Sequence, residues 1–181
     1  VHFGRWRRQR GERGHLFLAG ATAGALAVDL TAMALRYVEV GSPSLLPWLN
    51  NLGVAVAAVC LAELAAWLKA SPPSRVGRGL EIGVLGLAAV AGLQLDARLN
   101  AVFMVACTAL LVTAAARGLR GARGGEPHLR VFAGGVTFLI LCLLVDVLME
   151  QGVLPPAYGF PALGFVVLFL AMFGFWRLYF D

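Results

Sequence analysis

Charged residues are scarce in this sequence: Asp, Glu, Lys and Arg make up 14% of its 181 residues, against about 25% in an ordinary soluble domain. Serine is nearly missing, confined to Ser42, Ser44, Ser71 and Ser74. With 60% hydrophobic residues and a mean hydropathy of +0.80, there is too little polar surface to cover a water-soluble fold of this length. Cysteine occurs only at Cys60, Cys107 and Cys142, with no CxxC spacing. That excludes a disulfide scaffold, a thiol-redox motif and a zinc finger, and leaves three small buried hydrophobes. The histidines are His2, His15 and His128, with no HExxH or HxxxH, so no metal or haem site is expected. No serine falls within an apolar run, which excludes an intramembrane serine protease, and no Gly-rich phosphate loop is present. The sequence therefore predicts neither an enzyme nor a cofactor.

What is abundant is long apolar stretches. A hydrocarbon core of about 30 Å takes about 20 residues of helix, and six stretches read as spans, at about 16–38, 47–68, 80–95, 101–116, 129–149 and 158–179, the third of them short. They are continuous and about twice the length of the alternating strands, of about ten residues, that build a membrane barrel. The expected fold is thus an all-α integral membrane protein, a compact bundle of six transmembrane helices behind a basic arm at 1–15. The breaks carry turn chemistry. Gly41-Ser42-Pro43 precedes Pro47, a suitable first helical residue. Ser71-Pro72-Pro73-Ser74 ends the second span, Asp96 to Asn100 reads as a tight hairpin, Gly118 to Pro127 as the longest polar loop, and Pro155-Pro156 closes the fifth span.

Lys and Arg mark cytoplasmic loops. Arg5, Arg7, Arg8, Arg10 and Arg13 precede the first span. Lys69, Arg75 and Arg78 follow the second, Arg117, Arg120, Arg123 and Arg130 follow the fourth, and Arg177 ends the sixth. Thirteen basic residues thus fall on one side and only Arg36 and Arg98 on the other. The alternation predicts both termini in the cytoplasm. It also assigns the arm to membrane anchoring, with Trp6 at the headgroups, rather than to nucleic acid or a cleaved signal peptide.

Asp29, Glu63 and Asp146 lie inside spans, where a carboxylate is costly and a functional candidate. At about 1.5 Å per residue, Asp29 and Asp146 come to similar depths on the outer side. They are candidates to line one outward cavity in a ligand-binding or relay role, with Arg36, Arg98, Asn50 and Asn51 at its rim. The competing role is helix packing through hydrogen bonds. Small residues mark close-packing faces: Gly20 and Gly24 in the first span, Gly83 in the third and Gly134 in the fifth. They serve either the bundle itself or a homo-oligomer.

The closing segment carries Val145-Asp146-Val147-Leu148, then Gly152-Val153-Leu154-Pro155, then Leu163-Gly164-Phe165. It resembles the last hairpin of bacterial seven-transmembrane receptors with diverse intracellular signalling modules. In that family a D-x-L, a G-x-x-P turn and a final span with G-F precede a cytoplasmic kinase or cyclase. The resemblance covers about a quarter of the chain, which has six spans where the family has seven and no extracellular sensing domain. It transfers no catalytic residue. It implies a sensor of the bacterial cytoplasmic membrane whose sixth span passes a change in packing to a kinase or cyclase partner, through a coiled-coil linker expected to begin near Asp181. A small transporter or channel and an accessory subunit of a larger membrane complex remain as alternatives.

Overall fold

In lipid the backbone has no partner but itself, so long apolar runs close into helices. The computed structural model describes residues 2–37, 45–69, 74–94, 97–150, 153, 164, 166–168, 170–171 and 173–174. They form α1 (His2–Tyr37), α2 (Leu45–Leu68), α3 (Arg75–Gln94), α4 (Ala97–Arg123) and α5 (Pro127–Glu150), and the described residues between 164 and 174 are helical too. The chain is all-helical among the described residues. Four stretches are long and apolar enough to cross a membrane: Arg13–Thr31, Leu45–Leu68, Arg98–Arg123 and Pro127–Val145. α3 is not among them, because Arg75, Arg78 and Glu81 crowd its first two turns and glycine replaces aliphatic residues further on.

Helix ends differ from the loops read in the sequence. The basic arm is helical: α1 runs unbroken through it from His2 to Tyr37. α2 starts at Leu45, so Pro47 is its third residue, still in the first turn, where an N–H has no intrahelical acceptor. Ser74 caps α3, its Oγ accepting from Gly77 N at 3.0 Å, which starts that helix five residues before the expected span. The expected hairpin at Asp96 to Asn100 is largely helix, since α4 opens at Ala97. The expected loop at Gly118 to Pro127 shrinks to Gly124–Glu126 because α4 continues to Arg123.

The last of these has a packing cause. Gly118 lies against Phe132 and Ala133, and Gly121 against Leu129. This tertiary contact outweighs the penalty of about 0.5–1 kcal/mol that each glycine brings to a helix. The turn then closes with Gly124 N donating to Gly121 O at 2.9 Å and Gly125 N to Ala122 O at 3.2 Å. Gly125 sits at φ +93°, where a side chain would be strained.

The chain divides into two compact units, Val1–Leu110 and Leu111–Asp181. In the first, α2 is the central helix, buried at ten positions between Asn51 and Ala66. α1 lies antiparallel to it: Gly14 meets Trp67, Gly20 meets Cys60, Gly24 meets Gly53 and Ala57, and Thr31 bonds Asn50. From Gly14 to Thr31 that contact runs for about 25 Å at 1.5 Å per residue, most of a hydrocarbon thickness. α3 covers another side of α2 with Glu81, Val84 and Ala88 buried. In the second unit α5 is buried through Leu129, Phe132, Ala133, Val136, Leu139 and Cys142. The 164–174 segment runs antiparallel to α5, with Gly164 at Cys142, Leu168 at Gly135 and Gly174 at Val131.

Among the small residues singled out in the sequence, Gly20 and Gly24 lie in the α1–α2 contact. Gly83 and Gly134 face open space among the described residues, and Gly135 is the packed neighbour. Gly83 and Gly134 thus have no close-packed helix against them among the described residues. A helix rotates by about 100° per residue, enough to take Gly134 off the face that buries Gly135.

Candidate functional site

Asn50 and Asn51 are consecutive, so the helix sends their side chains about 100° apart. That separation lets each reach a different neighbour. Asn50 Oδ1 accepts from the Thr31 hydroxyl of α1 at 3.1 Å. Asn51, only 9% exposed, donates from Nδ2 to Asn100 Oδ1 of α4 at 3.3 Å. Four polar side chains from three helices thus join α1, α2 and α4 near one end of the first unit.

Thr31 has more acceptors than protons. Its Oγ1 lies 2.8 Å from Ala27 O and 2.9 Å from Val28 O as well as 3.1 Å from Asn50. A hydroxyl carries one proton and two acceptor lone pairs. When the proton goes to Asn50 Oδ1, the two helices are tied directly. When it goes to Ala27 O, the amide of Asn50 must turn its Nδ2 toward Thr31 to keep a bond. The one hydroxyl proton can serve only one of these three acceptors at a time. Such interhelical bonds in membranes average only about 0.6 kcal/mol, so the tie between α1 and α2 at this point is weak.

The other residues named for this site fall as follows. Asp29 is half-buried on α1, two positions from Thr31 and hence on a different face. Arg98 is exposed in the first turn of α4, two positions before Asn100. The side chains of Arg36 and Asp146 lie outside the described residues, so the pairing expected of Asp29 and Asp146 does too. Among the described residues no three His, Cys, Asp or Glu side chains gather where a metal would be held.

Sequence reasoning passed over Thr31, Asn100 and Glu81. Thr31 and Asn100 are ordinary residues taken alone; only the helix register brings them to the two asparagines. Glu81 is buried on α3, and the Ser74 cap is the signal that places it two turns inside a helix rather than at a span boundary.

Against known proteins, the chain matches no family model, no curated protein and no solved structure.

Proposed function

We propose that this chain is a non-enzymatic sensor module of the bacterial cytoplasmic membrane, with six spans and both termini inside. The observation that carries the reading is the amide cluster. A sensor needs an element with two states and a ligand that favours one of them, and the Thr31–Asn50 bond is a weak polar tie between α1 and α2 that a competing donor or acceptor would replace. A ligand offering a donor or acceptor to Asn50 shifts the α1–α2 packing. The sixth helix, packed along α5, carries the change toward a cytoplasmic kinase or cyclase.

The topology has a direct check. A single cysteine at Arg120, in a variant lacking Cys60, Cys107 and Cys142, should resist membrane-impermeant maleimide in intact cells and react after permeabilisation. Labelling in intact cells overturns the six-span arrangement.

The relay is tested by fusing a dimerising output domain after Asp181 and inserting one to four residues at the junction. Output should vary with a period of about 3.6 residues, and Asn50→Leu should fix its level. Output indifferent to both changes overturns the sensor reading.

A second reading draws on α3. Its Gly79, Gly83 and Gly86 face open space among the described residues beside exposed Ile82, Leu85 and Val90, a face on which another helix could pack closely. This favours an accessory subunit of a larger membrane complex.

A further inference from the structure

The α4–α5 turn holds more positive charge than its own segment neutralises. From Ala97 to Val145 the sequence has one carboxylate, Glu126, and its Oε2 lies 3.3 Å from His128 Nε2. Arg117, Arg120, Arg123 and Arg130 surround this turn. Arg117 is half-buried and the other three are exposed. Arg130 reaches back from α5, its Nε donating to Ala122 O at 3.4 Å, so its guanidinium is held beside the residue preceding Arg123.

On α4, Arg117, Arg120 and Arg123 follow one another at three-residue steps, away from the Gly118–Gly121–Ala122 side that α5 covers. They span about 9 Å along the axis at 1.5 Å per residue, comparable with the depth of a headgroup layer. The apolar stretches Arg98–Arg123 and Pro127–Val145 both end at this turn. Gly124 and Gly125 add no side chain over it.

The surface next to the arginines decides between ligands. Val112, Ala116, Leu119 and Arg123 fall at helical spacing on one stripe of α4. Val112 and Leu119 are about half exposed, at 49% and 51%. The stripe is thus apolar along its length and cationic at its end. An acidic peptide would use only the end; an amphiphile with an anionic head uses both.

We propose that the α4–α5 turn binds an anionic phospholipid, its phosphodiester held by Arg120, Arg123 and Arg130 and an acyl chain lying along Val112, Ala116 and Leu119. The site rests on the membrane-spanning reading but not on the signalling one. It differs from general positive-inside attraction in requiring cations at these positions in particular: Arg75 and Arg78 are also exposed, and Ile82 and Leu85 lead to Arg78 in the same way, but α3 offers two cations from one helix, with Glu81 three residues from Arg78, where the α4–α5 turn gathers three from two helices.

The full chain is reconstituted in nanodiscs of mixed phosphatidylglycerol and phosphatidylcholine, extracted gently, and its retained lipids are weighed by native mass spectrometry. Wild type should retain phosphatidylglycerol above its share of the bilayer. The triple variant R120Q/R123Q/R130Q should lose that preference by on the order of fivefold for each arginine removed, whereas R75Q/R78Q should keep it. The triple lysine variant guards against misfolding: retaining charge, it should retain most of the preference. Equal loss in the R75Q/R78Q control, an unchanged preference in the triple glutamine variant, or loss in the lysine variant overturns the proposal. Displacement of the lipid by inorganic phosphate also overturns it, by assigning the arginines to a free anion. Failure of the chain to enter the bilayer counts instead against the membrane reading.

Discussion

Gly24→Ala is expected to destabilise the protein by about 1–3 kcal/mol, the range for forcing extra atoms into a packed contact, although alanine is the better helix former by about 1 kcal/mol. The clash wins because of what the new methyl meets. It would lie 2.6 Å from Gly53 O and 2.8 Å from Ala57 N, and backbone atoms cannot swing aside as a side chain can. The same substitution at Gly83, where nothing lies within 4 Å among the described residues, keeps the propensity gain and should be neutral or mildly stabilising. Gly20→Ala should fall between them, because its obstacle is the Cys60 side chain. Thermal unfolding of the three variants in one detergent checks the order. A Gly24→Ala variant as stable as wild type would mean that α1 does not approach α2 so closely.

Phe132→Ala should cost about 3–5 kcal/mol, the usual result of emptying a large aromatic site. Phe132 has no exposed surface. Gly118 of α4 faces its ring, so closely that a methyl added to that glycine would lie 3.0 Å from Phe132 Cδ1. A glycine has nothing to extend into the void, so the site collapses poorly. Adding Gly118→Leu to Phe132→Ala should therefore restore part of the loss, while Gly118→Leu alone should destabilise through overpacking. Equilibrium unfolding in mixed micelles gives all three values. Simple additivity of the two single changes would remove the direct contact from the account.

The helical class and several chain breaks are legible in the sequence because lipid imposes long apolar runs and turns need glycine, proline or serine. What is buried within each helix is much harder to read. A soluble helix shows its inner face by having a polar outer one; here both faces are apolar. Gly134 and Gly135 illustrate the difficulty: one residue faces open space and the next meets Ala171 and Leu168, and no pattern in the flanking Val131 to Val136 distinguishes them. The amide cluster is half legible. Asn50 and Asn51 stand out in an apolar run, but their partners are set by how α1 and α4 are rotated, which adjacent residues do not encode. The reach of α4 past Gly118 is hidden for a different reason, because two glycines and two arginines look like a loop until Phe132 and Leu129 are placed against the glycines.

The Asn51–Asn100 bond also bears on how the protein is made. Most close contacts described above join helices that follow one another in the chain, so each can form soon after its second partner is synthesised. Asn51 instead waits for a residue 49 positions later. At about 5–20 residues per second, that is an interval of roughly 2–10 s during which a side chain destined for burial has no Asn100 to bond. Through that interval its amide has to be answered by water or by another polar group at the insertion site. Translation pauses between Asn51 and Asn100 lengthen the exposure, and faster elongation shortens it.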